Sequence, residues 1–124
     1  MDSILERERY KNLISGNIEL EILCERYDNA FLDEIVELMT DVVCMKTDFL
    51  LIGGAKVPQE VVKSRFLKLD SSHIEYLIES MKKNTTKVRN IKNYLLTALY
   101  NSYSTIEYYY LAEVNHDLMA GGMR

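Results

Sequence analysis

Residues 83–102 read KNTTKVRNIKNYLLTALYNS, and this stretch decides the fold because it joins clustered cations to a regular apolar stripe. Its apolar residues recur at steps of three and four, the spacing that places side chains on one face of an α-helix. We therefore predict a helix from Lys87 to Ser102 whose apolar face belongs to a core. That face comprises Val88, Ile91, Leu95, Ala98 and Leu99.

Cations cluster where this helix is predicted to begin. Lys82 and Lys83 suit the last turn of a preceding helix, because the helix dipole favours positive charge there. Lys87 and Arg89 fall in the first turn of the next helix, where the same dipole penalises each by about 0.3–1 kcal/mol. Such a position indicates a functional reason for these two residues.

The composition predicts a single folded domain over residues 1–124. The chain has 48% hydrophobic residues, one proline and five glycines, so it can fill a core and shows no linker. The first residues lack the apolar core of a signal peptide, and no apolar run approaches the roughly 18 residues of a membrane span. We expect a cytoplasmic protein without membrane association.

Charge is distributed unevenly along the chain. The net charge of -4 argues against a domain whose whole surface binds nucleic acid. Residues 1–45 carry eleven acids against four bases, whereas the remainder carries eleven bases against eight acids. This asymmetry predicts either one face for an anionic partner or two halves that attract each other.

The remaining patterns predict an all-α domain with one small β-hairpin. A first helix over about residues 1–16 ends at Ser15-Gly16, a short second helix contains residues 18–23, and a third runs from about Asn29 to Met45. Gly53-Gly54 marks the turn of a hairpin.

Four signals place the later helices. Pro58 occupies the first position of a helix that ends near Leu69, and Ser71 or Ser72 caps the next helix through a capping box with Glu75. Asn84 ends that helix. A second capping box, Ser104 with Glu107, opens a final helix to Leu118, and residues 119–124 form a flexible tail.

Motifs for catalysis or metal binding are incomplete. His73 and Glu75 have the H-x-E form of zinc deaminases without the cysteine motif that supplies the other ligands. Glu113 and His116 resemble half of a di-iron pair. Cys24 and Cys44 show no zinc spacing, so we expect reduced thiols. We predict a protein that is not an enzyme and holds no cofactor or metal.

Tyrosines concentrate near the C-terminal end, with six of the nine between Tyr94 and Tyr110. One interpretation places them at the rim of the domain with wet hydroxyls. The other makes exposed rings a stacking platform for unpaired bases, each worth about 1–3 kcal/mol, beside the cations.

Several linked strings carry a resemblance to a known family. The chain from about residue 17 to residue 118 resembles the C-terminal domain of RepA N-type replication initiators of Gram-positive plasmids and mobile elements. The strings that carry it are VVKSRFLKL, HIEYLIE, NTTKVRNIKNYLLTALYN and VNHD.

The resemblance implies a fold similar to the helical domain of DnaD-type primosome proteins. In such initiators the C-terminal domain connects the initiator to the priming and helicase-loading machinery of the host. No winged-helix segment is recognised within these 124 residues, so origin recognition is not expected of them.

DnaD-type domains also carry a Y-x-x-x-I-x-x-x-W pattern linked to DNA contact. Tyr94 matches its tyrosine, whereas Ala98 and Ser102 replace its isoleucine and tryptophan. These two departures shift the expectation from direct DNA binding towards protein docking.

We predict a non-catalytic replication-initiation module that docks a host primase or helicase-loading protein and contacts single-stranded DNA weakly. The alternative is a self-associating helical bundle, in which acidic residues around Asp33, Glu37 and Asp41 meet the basic segment of a second copy. The predicted partner or DNA contact residues are Lys82, Lys83, Lys87, Arg89, Lys92 and Tyr94.

Overall fold

A computed structural model of the chain describes residues 2–83 and 90–104. Within these residues it contains six helices and one two-stranded antiparallel sheet, which confirms the predicted all-α domain with a small β insertion. The elements in chain order are α1 (Asp2–Asn17), α2 (Leu20–Arg26), α3 (Asn29–Val43), β1 (Phe49–Ile52), β2 (Ala55–Pro58), α4 (Gln59–Lys68), α5 (Ser71–Lys83) and α6 (residues 91–104).

Helix α3 lies at the centre of the domain, in contact with α1, α2 and α4. The side chain of Asp28 caps its start by accepting a hydrogen bond from the backbone N–H of Ala30 at 3.3 Å. The prediction of this helix is confirmed to within two residues. The side chains that it buries are Leu32, Ile35, Val36, Met39, Thr40, Val42 and Val43.

The hairpin turns at Gly53 and Gly54, as predicted. Both glycines have positive φ, +58° and +84°, and a two-residue turn with this backbone joins the strands. Ile52 points to the core and is 6% exposed, whereas Phe49 and Leu51 on the other face are 54% and 65% exposed. The hairpin therefore presents two large apolar side chains to solvent.

The first helix is longer than predicted. Helix α1 continues through Gly16 to Asn17, because Ile14 and Ile18 are both buried and the backbone N–H of Ile18 still reaches the Ile14 carbonyl at 3.0 Å. The chain reverses instead at Glu19, which is the only non-glycine residue with positive φ in the described ranges, at +55°. The helix that follows runs from Leu20 to Arg26 and not over residues 18–23.

The predicted serine cap of α5 is wrong. Asp70 caps this helix, since its Oδ1 accepts hydrogen bonds from the backbone N–H groups of Ser72 at 3.0 Å and His73 at 3.3 Å. The capping box with Glu75 does not form. Glu75 pairs with Arg26 of α2 instead.

Helix α6 begins later than predicted. Asn90 is not helical, and its Oδ1 accepts the backbone N–H of Asn93 at 3.1 Å, which is the geometry of an N-cap. The prediction of a continuous helix from Lys87 to Ser102 is therefore wrong at Asn90, which directly precedes the first residue of α6. Lys87, Val88 and Arg89 lie outside the described residues, as does the predicted end of α5 at Asn84.

The apolar face of α6 is only partly a core face. Leu95 and Leu99 are 2% and 0% exposed, but Ile91 is 43% exposed, so its prediction as a core residue is wrong. Ser104 still belongs to α6, and the predicted helix break there is wrong as well. The predicted final helix to Leu118 and the tail over residues 119–124 lie outside the described residues.

Candidate partner-binding surfaces

Two of the predicted contact residues, Lys82 and Lys83, occupy the last turn of α5, as the dipole argument required. Both are exposed. The ammonium group of Lys82 lies 3.5 Å from Glu79 Oε1 and 5.2 Å from the centre of the Tyr27 ring. We call Lys82, Lys83 and Tyr27 the basic end of α5.

Tyr27 is a member of this surface that sequence reasoning missed. Its half-buried ring also lies 5.4 Å from the guanidinium carbon of Arg26, and its hydroxyl donates to Glu79 Oε1 at 3.5 Å. Each of these two cations is attracted to the electron-rich face of the tyrosine ring. Tyr27 is more than fifty residues from Lys82 in the sequence, so no local spacing could have joined them.

Lys92 lies in different surroundings. It lines a groove of about 420 Å³ between the outer face of α3 and the start of α6. We call this the acidic groove, because its rim holds four carboxylates around a small apolar floor. The floor consists of Leu38, Ile91 and Leu95, and the rim of Asp33, Glu34, Glu37 and Asp41.

Two of these carboxylates are already paired with cations of α1. Arg7 contacts both Glu37 and Asp41, the latter at 2.7 Å, and Lys11 Nζ lies 2.7 Å from Glu37 Oε1. Hydrogen bonds from Lys11 and Arg7 hold the pKa of the Glu37 carboxyl below its usual value.

These pairs bear on the predicted attraction between the two charge halves. Arg7 and Lys11 belong to the same acidic half of the sequence as Glu37 and Asp41, so three of the ion pairs in the described ranges lie within that half. Two pairs join the halves: Lys46 Nζ lies 3.7 Å from Glu6 Oε1, in the predicted sense, whereas Arg26 with Glu75 takes its cation from the acidic half and its carboxylate from the basic one.

The residues aligned with the DnaD-type pattern face inward. Tyr94 and Ala98 are half-buried and pack against the core, and Ser102 is 2% exposed, with its hydroxyl donating to the Leu99 carbonyl at 2.7 Å. A face that is covered in this way offers little surface to a nucleic acid.

The described tyrosines of the C-terminal cluster are engaged within the domain. The Arg65 guanidinium carbon lies 4.2 Å from the centre of the Tyr100 ring, and Tyr103 stacks on His73 with ring centres 5.8 Å apart. Tyr94, Tyr100 and Tyr103 are all half-buried, which fits the interpretation as rim residues. Tyr108, Tyr109 and Tyr110 lie outside the described residues.

His73 is buried, at 4% exposure, and its Nδ1 lies 2.9 Å from Asp70 Oδ1. Burial would raise the pKa of the Asp70 carboxyl, but hydrogen bonds from Ser72 and the interaction with His73 outweigh it, so this pKa lies below its usual value. Within the described ranges, Nε2 of His73 has no hydrogen-bond partner.

The described residues contain no group of three or more His, Cys, Asp or Glu side chains placed to hold a metal ion. The Glu113 and His116 pair lies outside the described ranges. Burial, and secondarily Glu6, raises the pKa of the half-buried Cys44 thiol, and both cysteines of the described chain are free. Among the described helices, none combines the length and apolar character needed to cross a membrane.

The structure thus separates the predicted contact residues into Lys82 and Lys83 at the basic end of α5, and Lys92 and Tyr94 on α6. No ion pair or ring contact links these two groups within the described residues. Lys87 and Arg89 lie between them in the sequence, outside the described ranges.

The fold and these surfaces define an all-α domain with a β-hairpin insertion and clustered surface charge. The chain belongs to DUF6017, a protein family of unknown function, which matches residues 2–121. No curated protein and no solved structure matches the chain.

Proposed function

We propose that the chain is a non-catalytic module of DNA-replication initiation, which docks a host primase or helicase-loading protein in the cytoplasm. The observation that carries this proposal is the resemblance of the linked strings VVKSRFLKL, HIEYLIE and NTTKVRNIKNYLLTALYN to the C-terminal domain of RepA N-type initiators. The first two strings fall on α4 and α5, and the described part of the third string, residues 90–101, contains the start of α6.

The basic end of α5 supports the docking role. Lys82 and Lys83 are exposed at the end of a helix whose opposite face is buried through Ile74, Leu77 and Ile78. The Tyr27 ring beside Lys82 adds an aromatic side chain, a residue type enriched at protein interfaces. Cations with a neighbouring aromatic ring suit an acidic surface of a partner protein.

Weak contact with single-stranded DNA is a second role of the same surface. Phosphates are attracted to Lys82 and Lys83, whereas the carboxylates around Lys92 repel them. Tyr94, Ala98 and Ser102 are half-buried or buried, so within the described part of α6 these positions offer little ring surface for stacking. We therefore place protein docking first and DNA contact second.

Capture from a Gram-positive cell lysate, with mass spectrometry of the retained proteins, tests the docking role. The wild-type chain should retain a primase or a helicase-loading protein, and the Lys82→Glu, Lys83→Glu variant should lose it. Lys46→Glu, Lys56→Glu is the matched control, because these two lysines are also exposed but lie outside the basic end of α5. A further variant that reverses Lys87, Arg89 and Lys92 examines the rest of the predicted surface. Retention of no replication protein by the wild type would contradict the docking role.

Fluorescence anisotropy with a labelled single strand tests the DNA role. Binding should weaken with salt at a log–log slope of about -0.7 for each phosphate contacted. The Lys82→Glu, Lys83→Glu variant should bind more weakly and with a smaller slope than the Lys46→Glu, Lys56→Glu control. No binding at low salt, or binding that is independent of salt, would remove DNA from the proposal.

Self-association is a second candidate function, and the hairpin favours it. Phe49 and Leu51 are 54% and 65% exposed and lie next to each other on one face of β1, and adjacent exposed apolar side chains can form part of an interface. In the predicted route through Asp33, Glu37 and Asp41, the last two carboxylates are already paired with Arg7 and Lys11, which weakens that route at two of its three positions. Sedimentation velocity over a range of concentration should then show a dimer that Leu51→Lys abolishes and that salt does not weaken. A monomer at every concentration rejects this candidate.

A further inference from the structure

The acidic groove combines an accessible apolar floor with an excess of negative charge, and the predicted cationic surface does not explain it. Leu95 is 2% exposed, but Ile91, one turn earlier on α6, is 43% exposed. Leu38 on the α3 wall is half-buried. The hydrophobic core therefore excludes solvent at Leu95, whereas the Ile91 side chain leaves apolar surface accessible in the groove.

The charge on the rim is unequally neutralised. Glu37 and Asp41 pair with Arg7 and Lys11 of α1. Asp33 and Glu34, one turn earlier on α3, are exposed and have no ion pair among residues 2–83 and 90–104. Among the described residues, the lining thus holds four carboxylates and one ammonium group, that of Lys92, and the carboxylates without an ion pair in those ranges lie at one end.

We propose that the acidic groove binds a cationic amphipathic helix of a partner protein. The apolar face of such a helix contacts Ile91 and Leu38, and a Lys or Arg side chain at its edge contacts Asp33 and Glu34. Helices that lie in apolar grooves are a common mode of peptide recognition, and complementary charge adds specificity and speed of association.

Size and charge both support this occupant. A volume of about 420 Å³ accepts a few side chains from one helical face. The carboxylates on the rim repel phosphate, so a nucleic acid does not fit the groove. The inference does not depend on the proposed replication role, since it concerns a different surface of opposite charge and its test uses no replication protein.

The experiment measures binding of a synthetic probe to the full chain by fluorescence anisotropy. The probe is a labelled amphipathic helix of leucine and lysine, and its counterpart has glutamate at every lysine position. The lysine probe should bind at low salt, and binding should weaken as salt screens the rim charges. The glutamate counterpart should show no binding.

Two pairs of variants locate the site. Asp33→Lys, Glu34→Lys should weaken binding of the lysine probe about tenfold. Glu21→Lys, Glu25→Lys makes the same change of charge at exposed positions of α2 and should alter binding by less than about twofold. Ile91→Ser should weaken binding about fivefold, whereas Ile22→Ser, at a side chain of 52% exposure, should have no effect.

Circular dichroism establishes that each variant is folded before its binding is compared. The proposal is overturned if the lysine probe does not bind, if both probes bind equally, or if the α2 control weakens binding as much as the groove variant. It is also overturned if sedimentation shows a dimer of the wild type that Asp33→Lys, Glu34→Lys abolishes, because the occupant is then a second copy of this chain.

Discussion

Helices α3 and α6 begin in the same way and differ in how much of their apolar face they bury. Asp28 caps α3 and Asn90 caps α6, in each case through a side-chain oxygen. Helix α3 buries every apolar side chain from Leu32 to Val43 except the half-buried Leu38. Helix α6 leaves Ile91 exposed and buries Leu95 and Leu99.

The difference between the two helices shows what an apolar repeat in the sequence does and does not predict. The repeat fixes which side of a helix is apolar, because the spacing alone determines which side chains share a face. It does not fix how far a neighbouring element extends along that face. At Ile91 the neighbour is the outer, acidic side of α3, so the first turn of α6 borders a groove and not the core.

The largest difference in stability should come from truncating apolar side chains of α6, because position 99 is buried and position 91 is exposed. Leu99→Ala removes a fully buried side chain and should lower the free energy of unfolding by about 2–5 kcal/mol. Ile91→Ala should lower it by less than about 1 kcal/mol, because the side chain already meets water. Urea denaturation measures both, with Leu13→Ala, at 48% exposure, as the surface control. Equal losses at positions 91 and 99 would mean that the groove is closed in solution.

Hydrogen bonds at the end of α3 and in the last described residues of α6 should give the next largest effects on stability. The buried Gln59 amide donates to the Val42 and Val43 carbonyls of α3 at 3.0 and 3.2 Å. Gln59→Met leaves these carbonyls without that donor, and we expect a loss of about 1–3 kcal/mol.

In the last described residues of α6, half-buried Arg65 donates to the Tyr100 carbonyl at 3.4 Å and to the Ser104 hydroxyl at 3.2 Å. Arg65→Met should cost about 1 kcal/mol, because water can replace the guanidinium there. Thermal unfolding of both variants gives the order of the two losses. A larger loss for Arg65→Met would reverse this ranking.

The two N-caps should contribute about equally to the free energy of unfolding. Asp28→Ala and Asn90→Ala each remove one side-chain acceptor of a backbone N–H, and each should cost about 1 kcal/mol. Asp28→Ser and Asn90→Ser should restore most of the loss, since serine also caps helices well. Chemical denaturation of the four variants provides the comparison. A loss at Asp28 alone would show that the start of α6 at residue 91 is not needed for stability.

Low pH should produce the smallest loss of stability, through one carboxylate on α3 and one that caps α5. The pKa values of Glu37 and Asp70 are lowered on folding from usual values of 4.5 and 3.8, so these groups stabilise the fold above those values. That contribution is lost as pH falls through the lowered pKa values. Both side chains are more than a third exposed, so we expect less than about 1 kcal/mol from each.

Urea midpoints from about pH 5 to about pH 3 measure this effect. The loss of stability with falling pH should be shallower for Glu37→Gln and for Asp70→Asn than for the wild type. An unchanged slope in both variants would assign the acid sensitivity to other carboxylates.

Much of the fold follows from local patterns in the sequence. The stripe of α3 and the Gly53-Gly54 turn were predictable because each depends on spacing or on backbone conformation within a few residues. The cap of α5 was missed although Asp70 directly precedes two serines, all of which are good N-cap residues. The sequence offers three candidates there, and only the backbone geometry selects one.

The surfaces were less predictable, because they combine residues that are distant in the chain. Lys82 and Lys92 are ten residues apart, and the sequence predicts that they belong to one cationic surface. The structure places Tyr27 beside the first and the carboxylates of α3 beside the second. Sequence spacing within one helix carries no information about which face of another helix lies opposite it.

The reversal at Glu19 has a practical consequence for experiments on these surfaces. A residue with a Cβ in the left-handed region pays about 1–2 kcal/mol, and the Glu19 side chain makes no compensating cap hydrogen bond. Asparagine tolerates this backbone better than glutamate does, so Glu19→Asn should raise the free energy of unfolding by up to about 1 kcal/mol. Thermal unfolding checks this directly. The substitution lies at the junction of α1 and α2, outside the basic end of α5 and the acidic groove, and it therefore provides a stabilised background in which destabilising surface variants remain folded.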